Sequence, residues 1–185
     1  MKMTLTEMKK QVLSLIEEIN NDSDLLTDDP DISNKINYVI NQIQNELSRI
    51  KKIPARETII VKKDQMEDLN DLVDNFYQLN IIKGVKHNLY QNTVEFQENG
   101  SAEVFYFKYP KQIVENTDGN YKFELSIDAL QIMPYGVAGD LLKSDISANY
   151  GQVYSNRYSE LKQQLDPRYH TGSIYVDDGG IDEFL

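Results

Sequence analysis

Two kinds of hydrophobic spacing alternate along this chain. Met8, Val12, Leu15, Ile16 and Ile19 recur every three or four positions, the spacing of one buried helical face. Thr4 and Glu7 ahead of them have the form of a capping box, which satisfies two amides at a helix start. After a polar stretch, residues 21–27, Asp29 and Pro30 predict an N-cap followed by a proline in the first turn. Ile32, Ile36, Val39, Ile40, Ile43, Leu47 and Ile50 then make one long apolar stripe. Lys51 and Lys52 suit the negative end of that helix, and Pro54 stops it. Two antiparallel helices joined by a short linker are the expectation for residues 1–55.

The spacing then changes character. Residues 57–63 are rich in β-branched side chains and predict a strand, as do residues 76–86 and 90–97, with an acidic loop over 64–71. Asn99-Gly100, flanked by Val94 and Phe96 on one side and Ala102, Val104 and Tyr106 on the other, predicts a tight hairpin. Phe105, Phe107 and Tyr109 fall on the opposite face of its second strand, so both faces are expected to be partly covered.

From residue 121 the helical spacing returns. Ser126 is the expected N-cap, with Asp128 in the first turn, and Ala129, Leu130, Met133, Val137, Leu141 and Leu142 supply a buried stripe. Pro134 inside that helix predicts a kink, while Gly136 and Gly139 allow another backbone to approach. Ser144-Asp145 predicts the cap of a last helix with Ile146, Tyr150, Val153, Tyr154, Leu161 and Leu165 inward, ended by Pro167. The expected fold is α+β. A bundle of about four helices, in two hairpins over 1–55 and 121–167, carries a small antiparallel β-subdomain over 56–120 between the pairs. A flexible tail, 168–185, follows, with residues 173–176 as one short strand.

Composition narrows the chemistry. With no cysteine there is neither a disulfide nor a thiolate metal site, and two histidines, His87 and His170, are too few for a multi-histidine centre. Thirty acids against nineteen bases give a net charge of −11, and the bases are scattered in pairs, which argues against gripping nucleic acid by its phosphates. The longest apolar runs fall far short of the ~20 residues that cross a bilayer. No apolar run of signal-peptide length follows the first residues, so a soluble protein of a cytoplasm-like compartment is expected. No phosphate-cradling glycine loop and no nucleophile elbow is present. Asp177, Asp178, Asp182 and Glu183 with two glycines are the best cation candidates, but they lack a calcium-loop spacing. No catalytic, cofactor-binding or metal residue is expected.

The aromatic set is skewed instead, with twelve tyrosines and no tryptophan. Tyr150, Tyr154 and Tyr158 recur at i, i+4 and i+8 as one slowly drifting stripe. That stripe fits either packing at the edge of a core or a protein–protein surface, where tyrosine is enriched.

The order of these features resembles the head–tail adaptor (connector) proteins of tailed bacteriophages. The residues that carry the resemblance are Val104-Phe105-Tyr106-Phe107-Lys108-Tyr109-Pro110, then Tyr121-x-Phe123-Glu124-Leu125, then Met133-Pro134-Tyr135-Gly136-Val137-Ala138. Tyr154-x-x-Arg157-Tyr158-x-x-Leu161 closes the helical part, and Gly172-Ser173-Ile174-Tyr175-Val176 stands in the tail. Gly136 departs from the pattern, in which a second bulky aromatic is frequent, and residues 68–76 lack the proline of the usual approach to the β-region.

The resemblance implies a non-enzymatic virion protein, made in the host cytoplasm and placed in the neck. There it forms a dodecameric ring beneath the portal, extends the DNA channel and offers a platform to the next neck or tail protein. It implies no cofactor and no membrane, and DNA that passes without sequence-specific binding. An acidic channel wall would let DNA slide. Candidate interface residues are Tyr135, Tyr154, Tyr158, Tyr169, Ile174, Tyr175, Val176 and Phe184. A tail-completion or other neck protein that binds the tail, or a protein-binding module outside phages, is the alternative.

Overall fold

In a computed structural model the described residues are 2–17, 27, 29–144 and 150–165. The first helix, α1 (Leu5–Leu15), starts as its sequence dictates: Thr4 Oγ1 accepts from the Glu7 amide at 3.2 Å, and the Glu7 carboxylate accepts from the Thr4 amide at 2.8 Å. Those bonds hold the Glu7 carboxyl below its ordinary pKa. The second helix, α2 (Pro30–Ile50), is capped by Asp29, whose Oδ1 accepts from the amides of Asp31 and Ile32. Helix α4 (Ile127–Leu141) passes through Pro134 and continues as a 3-10 turn, Leu142–Ser144, and α5 (Tyr150–Gln163) follows. Ser126 occupies the N-cap position of α4 with extended backbone, but its side chain makes no capping bond.

Among the described residues the expected four-helix bundle of two hairpins does not form: α4 and α5 pack as a hairpin, but α1 and α2 do not. Helix α4 is the hub, and α1, α2 and α5 each pack on it, whereas α1 and α2 do not run along one another. The cause lies in composition. Ala129, Leu130, Ile132, Met133, Pro134, Gly136, Val137, Ala138 and Gly139 are all buried, so α4 is apolar around most of its circumference. The amphipathic α1 and α2 each cover one part of it and leave their polar faces in water. The start of α1 is tied elsewhere: the Leu5 amide donates to the Tyr121 carbonyl at 2.9 Å, Thr4 bridges to Lys122, and the Thr6 amide and hydroxyl both donate to the Gly119 carbonyl.

Between α2 and α4 the expected antiparallel β-subdomain consists of two three-stranded sheets. The first has the order β1 (Ile53–Val61), β6 (Gly100–Lys108), β3 (Phe76–Lys83), and the second β2 (Met66–Asp68), β5 (Thr93–Phe96), β4 (His87–Tyr90). A short helix, α3 (Leu69–Leu72), joins β2 towards β3. The stretch expected as an acidic loop, 64–71, thus holds both a strand and a helical turn. Val61, Ile82, Val94, Phe96, Ala102, Val104 and Tyr106 from both sheets share a core separate from the helical one.

The predicted Asn99-Gly100 hairpin does not form, because β5 and β6 belong to different sheets. Asn99 Oδ1 accepts from the Lys63 amide at 2.8 Å instead, and Gly100 pairs with Val61 without a positive φ. Glycine is needed there for room, since a Cβ would stand 2.9 Å from Val85 Cγ1. The two-residue hairpin lies at Gln91-Asn92, with Gln91 at φ 56°.

A polar clamp joins α2 to the segment after β6. Asn41 Nδ2 donates to the Ile113 carbonyl and Asn41 Oδ1 accepts from the Ile113 amide, both at 2.8 Å. The fully buried Gln44 donates to Asn41 Oδ1 and to the Lys111 carbonyl. Replacing Asn41 with alanine leaves an inward amide and carbonyl without their partner. Asn41→Ala should therefore lower stability by about 2–3 kcal/mol in chemical denaturation.

Candidate interaction surfaces

Helix α5 sits unusually close to α4, and small residues make this possible. A Cβ on Gly139 would stand 2.6 Å from Ser155 Oγ and 3.0 Å from its backbone nitrogen, and one on Gly151 would stand 3.1 Å from Leu142. A Cβ on Gly136 would meet the Tyr158 ring at 3.0 Å and Ile43 at 3.2 Å. The departure at Gly136 thus has a local reason: its missing side chain is the space the Tyr158 ring fills.

The tyrosine stripe drifts from water into the core. Successive i+4 steps rotate about 40° around a helix, and the exposure follows: Tyr150 is 68% exposed, Tyr154 half-buried, and Tyr158 6% exposed. Tyr158 donates its hydroxyl to Glu46 at 3.0 Å, and Lys162 meets the same carboxylate at 2.5 Å while lying 5.1 Å from the Tyr158 ring centroid. Burial first, then the charges of Glu46 and Asp140, push the Tyr158 hydroxyl well above the ordinary tyrosine pKa. Tyr154 donates to the carbonyl of Leu15, the last residue of α1. Both side chains therefore tie elements of one chain together. Tyr150 and Val153, expected to face inward, are exposed.

Tyr135 is half-buried beside a shallow groove of about 490 Å³ with Lys10, Gln11, Ser14, Leu15 and Gln131, between α1 and α4. It is brought together with neither Tyr154 nor Tyr158 in any hydrogen bond of the described residues. Tyr169, Ile174, Tyr175, Val176 and Phe184 lie outside the described residues, as do the Ser144-Asp145 cap's second residue, Ile146, His170 and the acidic stretch 177–183.

A larger cleft, about 1100 Å³, was not foreseen. It lies where the helical part meets the first sheet, lined by residues 53–57 of β1, by Asp74 and Asn75, and by residues 124–127 at the start of α4. Tyr106 points its hydroxyl between the Glu57 carboxylate and the Asp74 carbonyl. Burial and the neighbouring Glu57 raise its pKa, so it is held as a hydrogen-bond donor and is a poor base. On the other wall Lys108 meets Glu124 at 2.5 Å, and Glu124 also accepts from the Lys111 amide. The alternation in β1 carried the signal, because Glu57 falls on the inward side together with Ala55 and Ile59. The cleft pairs Lys108 with Glu124 and Tyr106 with Glu57, and presents polar groups from both walls.

On the outer face of the first sheet, cations stand beside aromatic rings. In register across it stand Arg56, Phe105 and Ile81, and beside them Pro54, Phe107 and Gln78. The Arg56 guanidinium and Lys83 ammonium lie 5.3 and 5.4 Å from the Phe105 ring centroid, and Lys52 lies 5.2 Å from that of Phe107. Arg56 also pairs with Glu103, and Lys52 donates to Gln78 at 2.7 Å.

Among the described residues, no cluster of three or more His, Cys, Asp or Glu could hold a metal ion, and no helix is long and apolar enough to cross a membrane. His87 places Nδ1 3.1 Å from the Val85 carbonyl, a local structural contact. No family model matches the chain, and no curated protein matches it.

Proposed function

We propose that this chain is a structural subunit of a tailed-bacteriophage neck, a head–tail adaptor that assembles as a ring under the portal and carries the next neck or tail protein. The observation that supports it most is the role of residues 121–165, which carry the resemblance to that family. Their helix α4 is the hub of the helical core, buried among α1, α2 and α5. The chemistry of the cleft and of the tyrosines serves packing and contact, not turnover. The negative charge suits a channel through which DNA passes.

The test is genetic and visual. Virions assembled in a host without this chain should yield DNA-filled heads with portals but no attached tails, seen by negative-stain imaging. Normal tailed particles would reject the reading. Heads that hold an adaptor while free tails lack a terminal component would favour the tail-completion alternative.

A further inference from the structure

Strand β1 borders the first sheet on one side and β3 on the other, and the two edges differ. The pairing of β3 with β6 shifts register twice, between Phe76 and Gln78 and between Leu79 and Ile81, and such irregularities blunt an edge. The nine residues of β1 pair with β6 one to one, without a shift. Among the described residues, no backbone hydrogen bond joins residues 53–61 to any segment other than β6. The far side of β1 is therefore a long, regular edge.

Pro54 fixes which backbone groups point to that edge. It has no N–H, and a proline inside a paired strand keeps its nitrogen on the free side. Backbone groups alternate sides along a strand, so those of Arg56, Thr58 and Ile60 face the free edge in phase with Pro54. At the next position of that phase, the Lys62 amide already donates to Gln65 Oε1 at 2.9 Å. The free set is thus bounded by Pro54 and Lys62 and centred on Thr58. All three side chains are exposed, and Ile60, an apolar residue, is 81% exposed.

We propose that two copies of this chain pair through β1, antiparallel about a two-fold axis at Thr58. In that register Thr58 faces Thr58 of the second copy, and Arg56 of each copy faces Ile60 of the other. Each of these pairs exchanges both of its backbone hydrogen bonds, so every outward group of the set is satisfied. The stem of Arg56, whose guanidinium pairs with Glu103, lies against the exposed Ile60. Glu57, turned inward to Tyr106, falls opposite Ile59, so no like charges oppose one another. An axis at Glu57 would set two carboxylates face to face, and one at Ile60 would need the Lys62 amide that Gln65 holds. A two-fold contact closes at two copies. The pairing therefore belongs to the free subunit and stands apart from the neck reading.

The chain has no cysteine, so Thr58→Cys introduces a single thiol, at the axis. Opposed Cα atoms of a hydrogen-bonded pair lie about 5.5 Å apart, within reach of a disulfide. Under mild oxidation Thr58→Cys should form a covalent dimer several-fold faster than Asn80→Cys, an exposed position on the β3 edge. Sedimentation of the unaltered chain should show a monomer–dimer equilibrium. Amide exchange at Arg56, Thr58 and Ile60 should slow as concentration rises, while that at Ala55, Glu57 and Ile59, bonded to β6, stays unchanged. Ile60→Lys sets a cation opposite Arg56 at two places and should weaken the dimer about tenfold, whereas Ile60→Glu sets an anion there and should keep it. A chain that stays monomeric up to its solubility limit would overturn the proposal. So would equal oxidation of the two cysteine variants, or the same loss for Ile60→Lys and Ile60→Glu.

Discussion

Tyr158→Ala should remove about 3–5 kcal/mol of stability in urea or guanidinium denaturation, the cost of deleting a buried aromatic ring. The ring is 6% exposed and lies against Gly136, a residue with no side chain of its own to fill the space left behind. The substitution also takes the hydroxyl donor from Glu46, leaving that carboxylate to Lys162. Tyr158→Phe keeps the ring and should cost about 1–2 kcal/mol, the loss of a hydrogen bond to a charged acceptor. Tyr150→Ala, at a position 68% exposed, should change stability by less than about 0.5 kcal/mol. The three together separate packing from contact along one stripe. A stable Tyr158→Ala chain that fails only in assembly would show that the ring is an interface residue.

The second large effect is alkaline. Tyr158, Tyr106 and Tyr121 all have their hydroxyls raised above the usual tyrosine pKa, chiefly by burial, with the carboxylates of Glu46, Glu57 and Glu124 respectively adding to it; Tyr121 is pushed up to about 12. In the unfolded chain a tyrosine loses its proton near pH 10. A folded-state pKa above that value means the contribution is complete below about pH 10. It is lost as pH rises towards the folded value, because the unfolded state releases a proton the native state must keep. Each such group lowers stability by about 1.4 kcal/mol per pH unit in that window. Lys9, whose amine is held below its usual pKa by burial, works in the opposite sense and offsets part of the loss. Denaturation midpoints should therefore be level between pH 8 and 9 and fall steeply between pH 10 and 12. Tyr158→Phe should be the less steep of the two chains. A flat profile through pH 11 would mean that these hydroxyls are solvated.

Local signals in the sequence were good guides to the elements and poor guides to their arrangement. The capping box at Thr4 and the Asp29-Pro30 start are short-range hydrogen-bonding patterns, and each sits at the start of a helix. The Asn99-Gly100 pair is also short-range, but its reading as a hairpin assumed that neighbouring strands pair. Here Asn99 is used by Lys63, and the chain changes sheet. The expectation of a first helical hairpin, α1 with α2, failed for a similar reason, while the second, α4 with α5, formed. The apolar circumference of α4 was legible residue by residue, yet its consequence is set by three helices competing for one surface.

The tyrosine stripe shows the same limit at the candidate site. Spacing alone gave a common face. The 40° drift and the pocket above Gly136 decide that Tyr158 is inside while Tyr150 is in water. The cleft with Tyr106 and Glu57 could be read only in part. Glu57 stood on the inward side of its strand, but its partner arrives from β6, more than forty residues on, and its other wall from the start of α4.

The reading as an assembly subunit is tested most directly by mixing the purified chain with purified portal rings of the same phage and sedimenting the mixture. The expected result is co-sedimentation as a saturable ring at a fixed ratio to portal, with added density beneath the portal in negative-stain averages. A chain that stays monomeric and fails to join the portal at any concentration would contradict it.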